Sequence, residues 1–505
     1  MSLSSILSLC LLAAASPAAQ TAAPAVAPKP AAAPLASAPA SVPAPPPAPP
    51  PKLFERALAE HEAGSADQAA RDFYWFLRTS PETATNYGWA EYFLGADLAA
   101  IGFSQAAVDY LVLVSKERPT PEILGPALTA LEKLALAGPV DRDLVFVELV
   151  YGTDFGIVPR EARDFVEFHR GVVDYEQGRA RWGERHFAEL EPKGRYAAQA
   201  RLVEAIEALR SAGATDEVVA RFAVLAKDAK APLEVRNEAS LDLARLRYER
   251  KELPAAIAAY DSVRLPKLDP GRGEIYLERA WALHRLGRDD EAFGYLTALD
   301  APSFRGLFLP DEYLVRSLVY DARCHFLAAK RSAREFQRRY RSALTVITER
   351  GDLSQDRKLL AAAEEQPSVR EAEELLRRVR DEKALVDRFA SRFATPGLTG
   401  RLREIYRLAE ENALRREHLA LEAALEGAAD AVLRADENLR LQDYQVGLQM
   451  YRRFKRGDAA PTPLVTPAIA ASQVIEPFHG EFWNDELRSY RLFLSDRCLG
   501  EEGAP

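Results

Sequence analysis

Apolar residues recur at helical spacing from Lys52 to about residue 350, and short breaks at Gly and Pro separate the periodic segments. In a helix, residues three and four apart lie on the same face, so this spacing predicts helices that each bury one side. Runs of alternating β-branched residues, which would predict strands, do not interrupt the pattern. The sequence therefore predicts an all-α fold.

The segment 91–119 contains landmarks that recur elsewhere in the chain. Ala69 and Ala107 are 38 residues apart, and Pro81 and Pro119 are also 38 residues apart, so two landmarks repeat in one register. The chain is therefore predicted to be a series of helical hairpins. Further copies are marked by Gly171, Gly178, Gly183 and Phe187, by Ala256 and Tyr260, by Ala280, Gly287, Ala292 and Leu296, and by Ala322, Ala329 and Ala333.

This pattern resembles the tetratricopeptide repeat (TPR) family, whose signature is W-x2-L-G-x2-Y, then A-x3-F, then P. The resemblance covers roughly residues 53–340 and is best in segment 91–119, where Leu94-Gly95 matches and Glu91 stands in place of the Trp. It implies a TPR-like α-solenoid over residues 53–350, because a single hairpin cannot bury its apolar face alone.

Small residues such as Gly95, Gly171 and Ala280 are expected to let the two helices of a hairpin approach closely. The pattern is irregular at about 120–165 and 196–235, where we expect degenerate repeats.

A second apolar pattern, of coiled-coil type, covers residues 354–456 and is most regular from 368. Thr395-Pro396-Gly397 interrupts it, which predicts a long antiparallel coiled-coil hairpin. The hairpin either packs on the end of the solenoid or offers its seam to a partner, and its many Ala residues slightly favour a partly exposed seam. The apolar positions are Val369, Ala372, Leu376, Val379, Val386, Ala390 and Phe393, then Leu421, Leu425, Ala428, Val432, Ala435 and Leu439.

The C-terminal tail, residues 457–505, contains Pro and then an aromatic segment that is too apolar for a free tail. We expect this segment to dock as a short helix on the preceding hairpin. Its aromatic residues are Phe478, Phe482, Trp483, Tyr490 and Phe493.

The N-terminus is typical of an exported protein. Residues 1–19 contain a short apolar core followed by small residues, which predicts a signal peptide, although no Lys or Arg precedes the core. Cys10 raises the alternative of a lipoprotein, which Leu9 disfavours because a small residue normally precedes the acylated Cys. Residues 20–52 are almost entirely Ala and Pro, which predicts a disordered, extended linker. It is either a tether from a membrane or a passive spacer.

The composition of the chain argues against one class of function, nucleic-acid binding. The chain has 505 residues, enough for more than one domain, and its net charge of −9 argues against a general nucleic-acid binder. Apart from Cys10, the Cys residues are Cys324 and Cys498. They either pair in an oxidising compartment or remain a buried thiol and an exposed tail thiol, which is the simpler interpretation.

Catalytic motifs are missing from the sequence. There is no Gly-Lys-Ser/Thr phosphate loop, no H-E-x-x-H and no G-x-S-x-G. His169 and His186 could meet across one hairpin, but a structural role is favoured for both. We therefore expect no enzyme activity, no cofactor and no metal.

The basic and aromatic segment Tyr451 to Asp458 has two interpretations. It is either a patch for phosphate or lipid headgroups, or a helix C-terminus whose cations favour the negative end of the helix dipole. The second interpretation is favoured.

The first helix of each hairpin in TPR-like solenoids lines a groove that holds peptides, and this resemblance implies a set of partner-binding candidates. Aromatic residues and Arg are the usual anchors of interfaces. The alternative is that several of them belong to the core between repeats. The candidates are Trp89, Tyr92, Phe168, Tyr175, Arg245, Tyr248, Trp281 and His284.

The sequence thus predicts a non-catalytic interaction scaffold in the bacterial cell envelope, which binds protein partners through the groove. The segments 277–302 and 480–498 resemble repeat proteins of envelope and gliding-motility machineries in myxobacteria and their relatives. The alternatives are an accessory or activator of a cell-wall enzyme, or a cytosolic adaptor if the N-terminus is not a signal.

Overall fold

The computed structural model describes residues 52–267, 269–394, 397–456 and 479–498. Several features predicted from the sequence lie outside these residues: the signal peptide, nearly all of the linker, the Thr395-Pro396 break and Phe478. Within the described ranges every regular element is helical, so the predicted all-α fold is confirmed. None of the described helices is long and apolar enough to cross a membrane.

The chain forms two compact units, and each combines an N-terminal stretch with part of the C-terminal region. The first unit contains the described residues up to Ala200 together with Glu371–Glu417. Its helices before Ala200 are α1 (Leu53–Glu62), α2 (Ala66–Thr79), α3 (Tyr87–Ala100), α4 (Ser104–Glu117), α5 (Pro121–Ala137), a π-helix (Asp143–Tyr151), α6 (Arg160–Glu176) and α7 (Ala180–Ala188).

The second unit contains Arg201–Arg370 and the described residues from His418 onward. Its helices up to Glu364, the first of which begins before Arg201, are α8 (Ala197–Ala212), α9 (Asp216–Lys227), α10 (Leu233–Glu249), α11 (Leu253–Ser262), α12 (Gly271–Arg285), α13 (Asp289–Ala298), α14 (Glu312–Ala322), α15 (Phe326–Arg339), α16 (Arg341–Thr348) and α17 (Arg357–Glu364).

Six turns between the described helices, found in both units, share one geometry. At each of these turns a residue has positive φ, and the following N–H donates to the carbonyl five residues earlier at 2.8–2.9 Å. This is the Schellman C-cap, which favours Gly because Gly has no Cβ. The recurrence predicted from sequence is therefore present as a repeated turn. The positive-φ residues are Gly64, Gly102, Gly178, Lys251, Gly287 and Cys324.

Glycines inside the helices allow close helix approach, as expected. A Cβ added at Gly171 would lie 2.3 Å from the Phe187 ring, and one at Gly183 would lie 2.5 Å from the Tyr175 ring. Helices α6 and α7 thus pack closely, because each places an aromatic ring against a Gly of the other. Gly95 is similarly close to Leu111, at 3.1 Å.

We expect Gly171→Val to lower the free energy of unfolding by about 1–3 kcal/mol, because the new methyl groups overlap the buried Phe187 ring. Urea denaturation followed by circular dichroism measures the change. Gly427→Ala is the control, since its Cβ meets nothing within 4 Å and Ala should raise helix stability by up to about 1 kcal/mol. A Gly171 variant as stable as the wild type would contradict the packing argument.

Two long helices complete the fold: α18 (Pro367–Phe393) and α19 (Leu398–Arg456). In the first unit they form an antiparallel hairpin, in which the Tyr406 hydroxyl donates to Glu382 at 2.6 Å. The same carboxylate accepts the Gln105 N–H at 2.8 Å, so it joins the hairpin to α4. Phe103 packs against Phe389, Phe393 and Tyr406 in one core cluster.

The second half of α19 belongs to the second unit. Its apolar positions, among them Val432, Ala435 and Leu439, are buried in a cluster with Phe336 and Tyr340. The Ala-rich seam is therefore covered by the chain's own helices over these positions. Residues 354–456, which the sequence predicts as one domain, are divided between the two units.

The aromatic tail docks elsewhere than the sequence predicts. Residues 479–498 are mostly irregular, with only a short 3₁₀ turn at Leu487–Ser489. They pack chiefly on the cluster built around α12 and α13 instead of forming a helix on the hairpin. The Leu492 N–H donates to the Asp290 carbonyl at 3.0 Å. Gly294 permits this approach, because a Cβ there would lie 1.8 Å from the Tyr490 carbonyl oxygen.

A disulfide joins Cys324 to Cys498, with the two Cα atoms 5.2 Å apart. The simpler interpretation of two free thiols is therefore wrong. The bond fixes the end of the tail segment to the turn between α14 and α15.

Candidate functional site

The two candidates of the first unit on α3, Trp89 and Tyr92, are half-buried. Their rings form an edge-to-face pair at 5.7 Å, and Trp89 also stacks on Phe93 of the same helix. Part of each side chain remains accessible, so both stay candidates for a contact surface.

Phe168 and Tyr175 of α6 belong to the core, as the alternative interpretation held. They are only 4% and 6% exposed. Phe168 stacks on Tyr196 at 4.7 Å, and Tyr175 packs against Phe187 at 5.3 Å. Neither side chain is available to a ligand.

In the second unit, three of the four candidates converge on one cavity. Arg245 and Tyr248 of α10 and Trp281 of α12 line a space of about 700 Å³, whereas His284 does not. His284 instead lies 2.9 Å from Asp289, which also accepts a hydrogen bond from Arg323. The complete lining is Arg245, Tyr248, Glu249, Tyr260, Glu278, Trp281, Arg285, Asp311, Leu314, Asn438, Leu441, Gln442 and Gln445.

A hydrogen-bonded triad fixes one wall of the cavity. The Arg245 guanidinium donates to Glu278 through Nε at 3.0 Å and through Nη2 at 2.8 Å. The Tyr260 hydroxyl bonds to the same carboxylate. A charged pair held on two sides in this way has a fixed geometry, so it presents a rigid polar surface.

Further acids lie behind Arg245. Asp242 is 4% exposed, 4.0 Å from the Arg245 guanidinium, and its Oδ2 has no hydrogen-bond partner among the described residues. Burial, together with the nearby Glu238 charge, raises the pKa of Asp242 to about 7. Burial also raises the pKa of Glu238, and the Arg245 charge opposes both shifts. Arg245 therefore compensates a cluster of buried carboxyl groups.

The other walls combine aromatic rings with side-chain amides. The Arg285 guanidinium lies 4.7 Å from the centre of the Tyr248 ring, and Trp281 packs between two core clusters. Helix α19 contributes Asn438, Gln442 and Gln445. Each amide offers both a donor and an acceptor. The cavity can therefore donate hydrogen bonds to a neutral polar group or accept them from it.

The residues of α19 are the part of the site that sequence reasoning missed. Gln442 occupies the position where the apolar spacing of Val432, Ala435 and Leu439 would place the next apolar residue, and that interruption is the available signal. Asn438 and Gln445 lie outside this spacing and carry no such signal. Gln442 is oriented by Asp321, to which its amide donates at 3.1 Å.

His169 and His186 make different contacts in the structure. His169 is buried and stacks on Phe146 at 3.9 Å, and burial lowers its pKa to about 3. His186 instead pairs with Glu167 at 2.6 Å. Among the described residues, no group of three His, Cys, Asp or Glu side chains is placed to hold a metal ion.

No protein-family model matches the chain, and no curated protein is significantly similar to it in sequence. The geometry of the cavity is therefore the basis for a functional assignment.

Proposed function

We propose that this protein is an exported, non-catalytic scaffold of the cell envelope that binds a segment of a partner protein in the cavity of its second unit. One observation carries the proposal: Arg245, Tyr248 and Trp281, selected by their position in TPR-like hairpins, converge on a single cavity with the amides of α19.

The cavity suits a short, uncharged peptide stretch. Its volume of about 700 Å³ lies within the usual range for ligand sites. Two cations and three carboxylates line it, so they nearly balance and select no strongly charged ligand. Aromatic rings provide apolar contact, and the amides match the alternating donors and acceptors of an extended backbone.

The disulfide between Cys324 and Cys498 supports export. Disulfides persist in oxidising compartments and are rare in the cytosol, where thiols stay reduced. This observation favours the envelope location over the cytosolic adaptor.

The carboxylates at and behind the cavity bear on the alternative of an accessory cell-wall enzyme. An accessory cell-wall enzyme would need a perturbed carboxylate within hydrogen-bonding reach of its substrate. Asp242 has a raised pKa, but it is buried behind Arg245 and does not line the cavity. Asp311 does line the cavity, and burial raises its pKa, so the cavity also offers the carboxylate that the enzyme alternative requires. The proposal of binding rests instead on the aromatic rings and the side-chain amides of the lining.

Site-specific photo-crosslinking in the producing cell tests this proposal. With p-benzoylphenylalanine in place of Asn438, at the cavity, we expect crosslinked partner proteins, and Trp281→Ala with Tyr248→Ala should abolish them. The control replaces Asn412, another exposed Asn on α19 that lies in the first unit. Identical crosslinks from both positions, or crosslinks that survive the double substitution, would refute binding at the cavity.

A further inference from the structure

The last four turns of α19 carry an apolar stripe on the surface. Leu441, Tyr444, Leu448, Tyr451 and Phe454 are all exposed, with Phe454 85% and Tyr444 66% accessible. Their three- and four-residue spacing places most of them on one helix face, which extends for about 20 Å.

The opposite face of the same turns is anchored. Gln442 and Val446 are buried, and Arg453 donates to the carbonyls of Arg497 and Cys498 at 2.8 Å. The helix cannot rotate to hide its stripe without breaking these contacts. The exposed stripe is therefore a fixed feature of the fold.

From Tyr444 onward the charges on these turns are all positive. From Tyr444 to Lys455 the helix contains three cations, Arg452, Arg453 and Lys455, and no acid. The nearest acid before them on the helix, Asp443, is paired with Lys330 at 2.7 Å. The helix dipole explains cations at a C-terminus, but it does not explain why five large apolar side chains face solvent beside them.

We propose that the end of α19, Leu441–Lys455, docks on an anionic lipid surface. Aromatic and Leu side chains on one face, with Arg and Lys beside them, are typical of helices that lie in the membrane interface. Anionic headgroups attract the cations while the apolar side chains enter the acyl boundary. Lys455, whose ammonium lies 5.3 Å from the Tyr451 ring, can reach toward the headgroups along an apolar stem.

Charge complementarity selects lipid over a second copy of the chain. A parallel pairing of two such helix ends would bring Arg452 and Lys455 of both copies together. An antiparallel pairing would set them against the turns around Leu441 and Tyr444 of the other copy, where the acid on the helix, Asp443, is already paired with Lys330. An anionic surface neutralises all of these cations. Leu441 also lines the cavity, whereas Tyr444, Leu448, Tyr451 and Phe454 do not. The docking therefore rests on these four side chains and goes beyond the proposed function.

Vesicle flotation with the full chain tests the docking. We expect binding to phosphatidylcholine vesicles that contain about one-third phosphatidylglycerol, weak binding to phosphatidylcholine alone, and loss of binding at high salt. The triple variant Leu448→Ser, Tyr451→Ser, Phe454→Ser should lower the bound fraction roughly tenfold. Arg452→Glu with Lys455→Glu should lower it comparably on the anionic vesicles.

The matched control is Leu408→Ser, Leu414→Ser, Leu419→Ser, which removes three exposed leucines from the same helix. It should leave flotation unchanged, and any flotation due to the N-terminal segment is common to all variants. Equal flotation of the wild type and the triple variant, or no flotation of the wild type, would overturn the proposal. A wild-type dimer that the triple variant converts to a monomer would also overturn it, in favour of a second copy.

Discussion

The Cys498→Ser variant is expected to unfold at a much lower urea concentration than the oxidised protein. The Cys324–Cys498 bond links residues 174 positions apart. Closing a loop of this length removes much of the chain entropy of the unfolded state, which corresponds to about 5 kcal/mol in the loop-entropy model and typically about 2–4 kcal/mol in practice. Equilibrium urea unfolding, followed by circular dichroism, measures the loss.

Reductant provides the control for the disulfide prediction. Adding dithiothreitol to the wild type should reproduce the stability of Cys498→Ser, and it should leave the variant itself unchanged. Two reactive thiols at positions 324 and 498 in the protein isolated from its own cells, without reductant, would contradict the bond.

Sequence periodicity predicted the helical hairpins because their turns carry a strong local signal. Gly64, Gly102 and Gly287 are visible in the sequence, since Gly is the usual residue at a positive-φ helix end. The same turn is hidden at Lys251 and Cys324, where a residue with a Cβ adopts the left-handed conformation. Tertiary packing, which holds those turns, has no local sequence signature.

Only one side of the candidate site could be predicted from the sequence. The register of the hairpins identified Arg245, Tyr248 and Trp281, because the first helix of each pair faces one side. It also selected Phe168 and Tyr175, which are buried, since the same register describes a groove and a core between repeats. The opposite wall, formed by α19, lies almost two hundred residues further along the chain, beyond the reach of local patterns.

The heptad pattern of α19 illustrates the same limit. Val432 and Leu439 are fully buried, whereas Leu441 and Leu448 are exposed, although all four are large apolar residues on one helix. Periodicity shows which residues share a face, but only the tertiary structure shows whether another helix covers it. The sequence of the basic end of α19 therefore favours a helix C-terminus and gives no sign that its apolar stripe is exposed.

Replacing Arg245 with Met is expected to destabilise the second unit strongly at pH 8 and less at pH 4. The variant leaves Asp242, Glu238 and Glu278 without their shared cation. Removing one partner of a buried charge cluster typically costs about 3–5 kcal/mol, because the remaining charges stay buried and uncompensated. Urea unfolding at the two pH values measures the difference.

The sign of the pH dependence follows from the carboxyl groups. Burial raises the pKa of Asp242 from 3.8 to about 7, so the folded protein binds this proton more tightly than the unfolded chain does. Stability therefore falls as the pH rises through this window. Without the Arg245 charge the pKa values of Asp242 and Glu238 rise further, which makes the fall steeper. At pH 4 Asp242 and Glu238 are protonated, so their charges no longer oppose folding. The loss that remains is that of the hydrogen bonds from Arg245 to Glu278, and a hydrogen bond to a charged group typically contributes about 1.5–3 kcal/mol.

Two further variants separate charge compensation from packing. Arg221→Met breaks an exposed pair with Glu217 and should change stability by less than about 1 kcal/mol at either pH. Asp242→Asn in the Arg245→Met background should restore part of the stability at pH 8 and none at pH 4, because it removes a charge that exists only at the higher pH. Equal losses for Arg245→Met at both pH values would mean that the Arg245 side chain stabilises the wall of the cavity by packing alone.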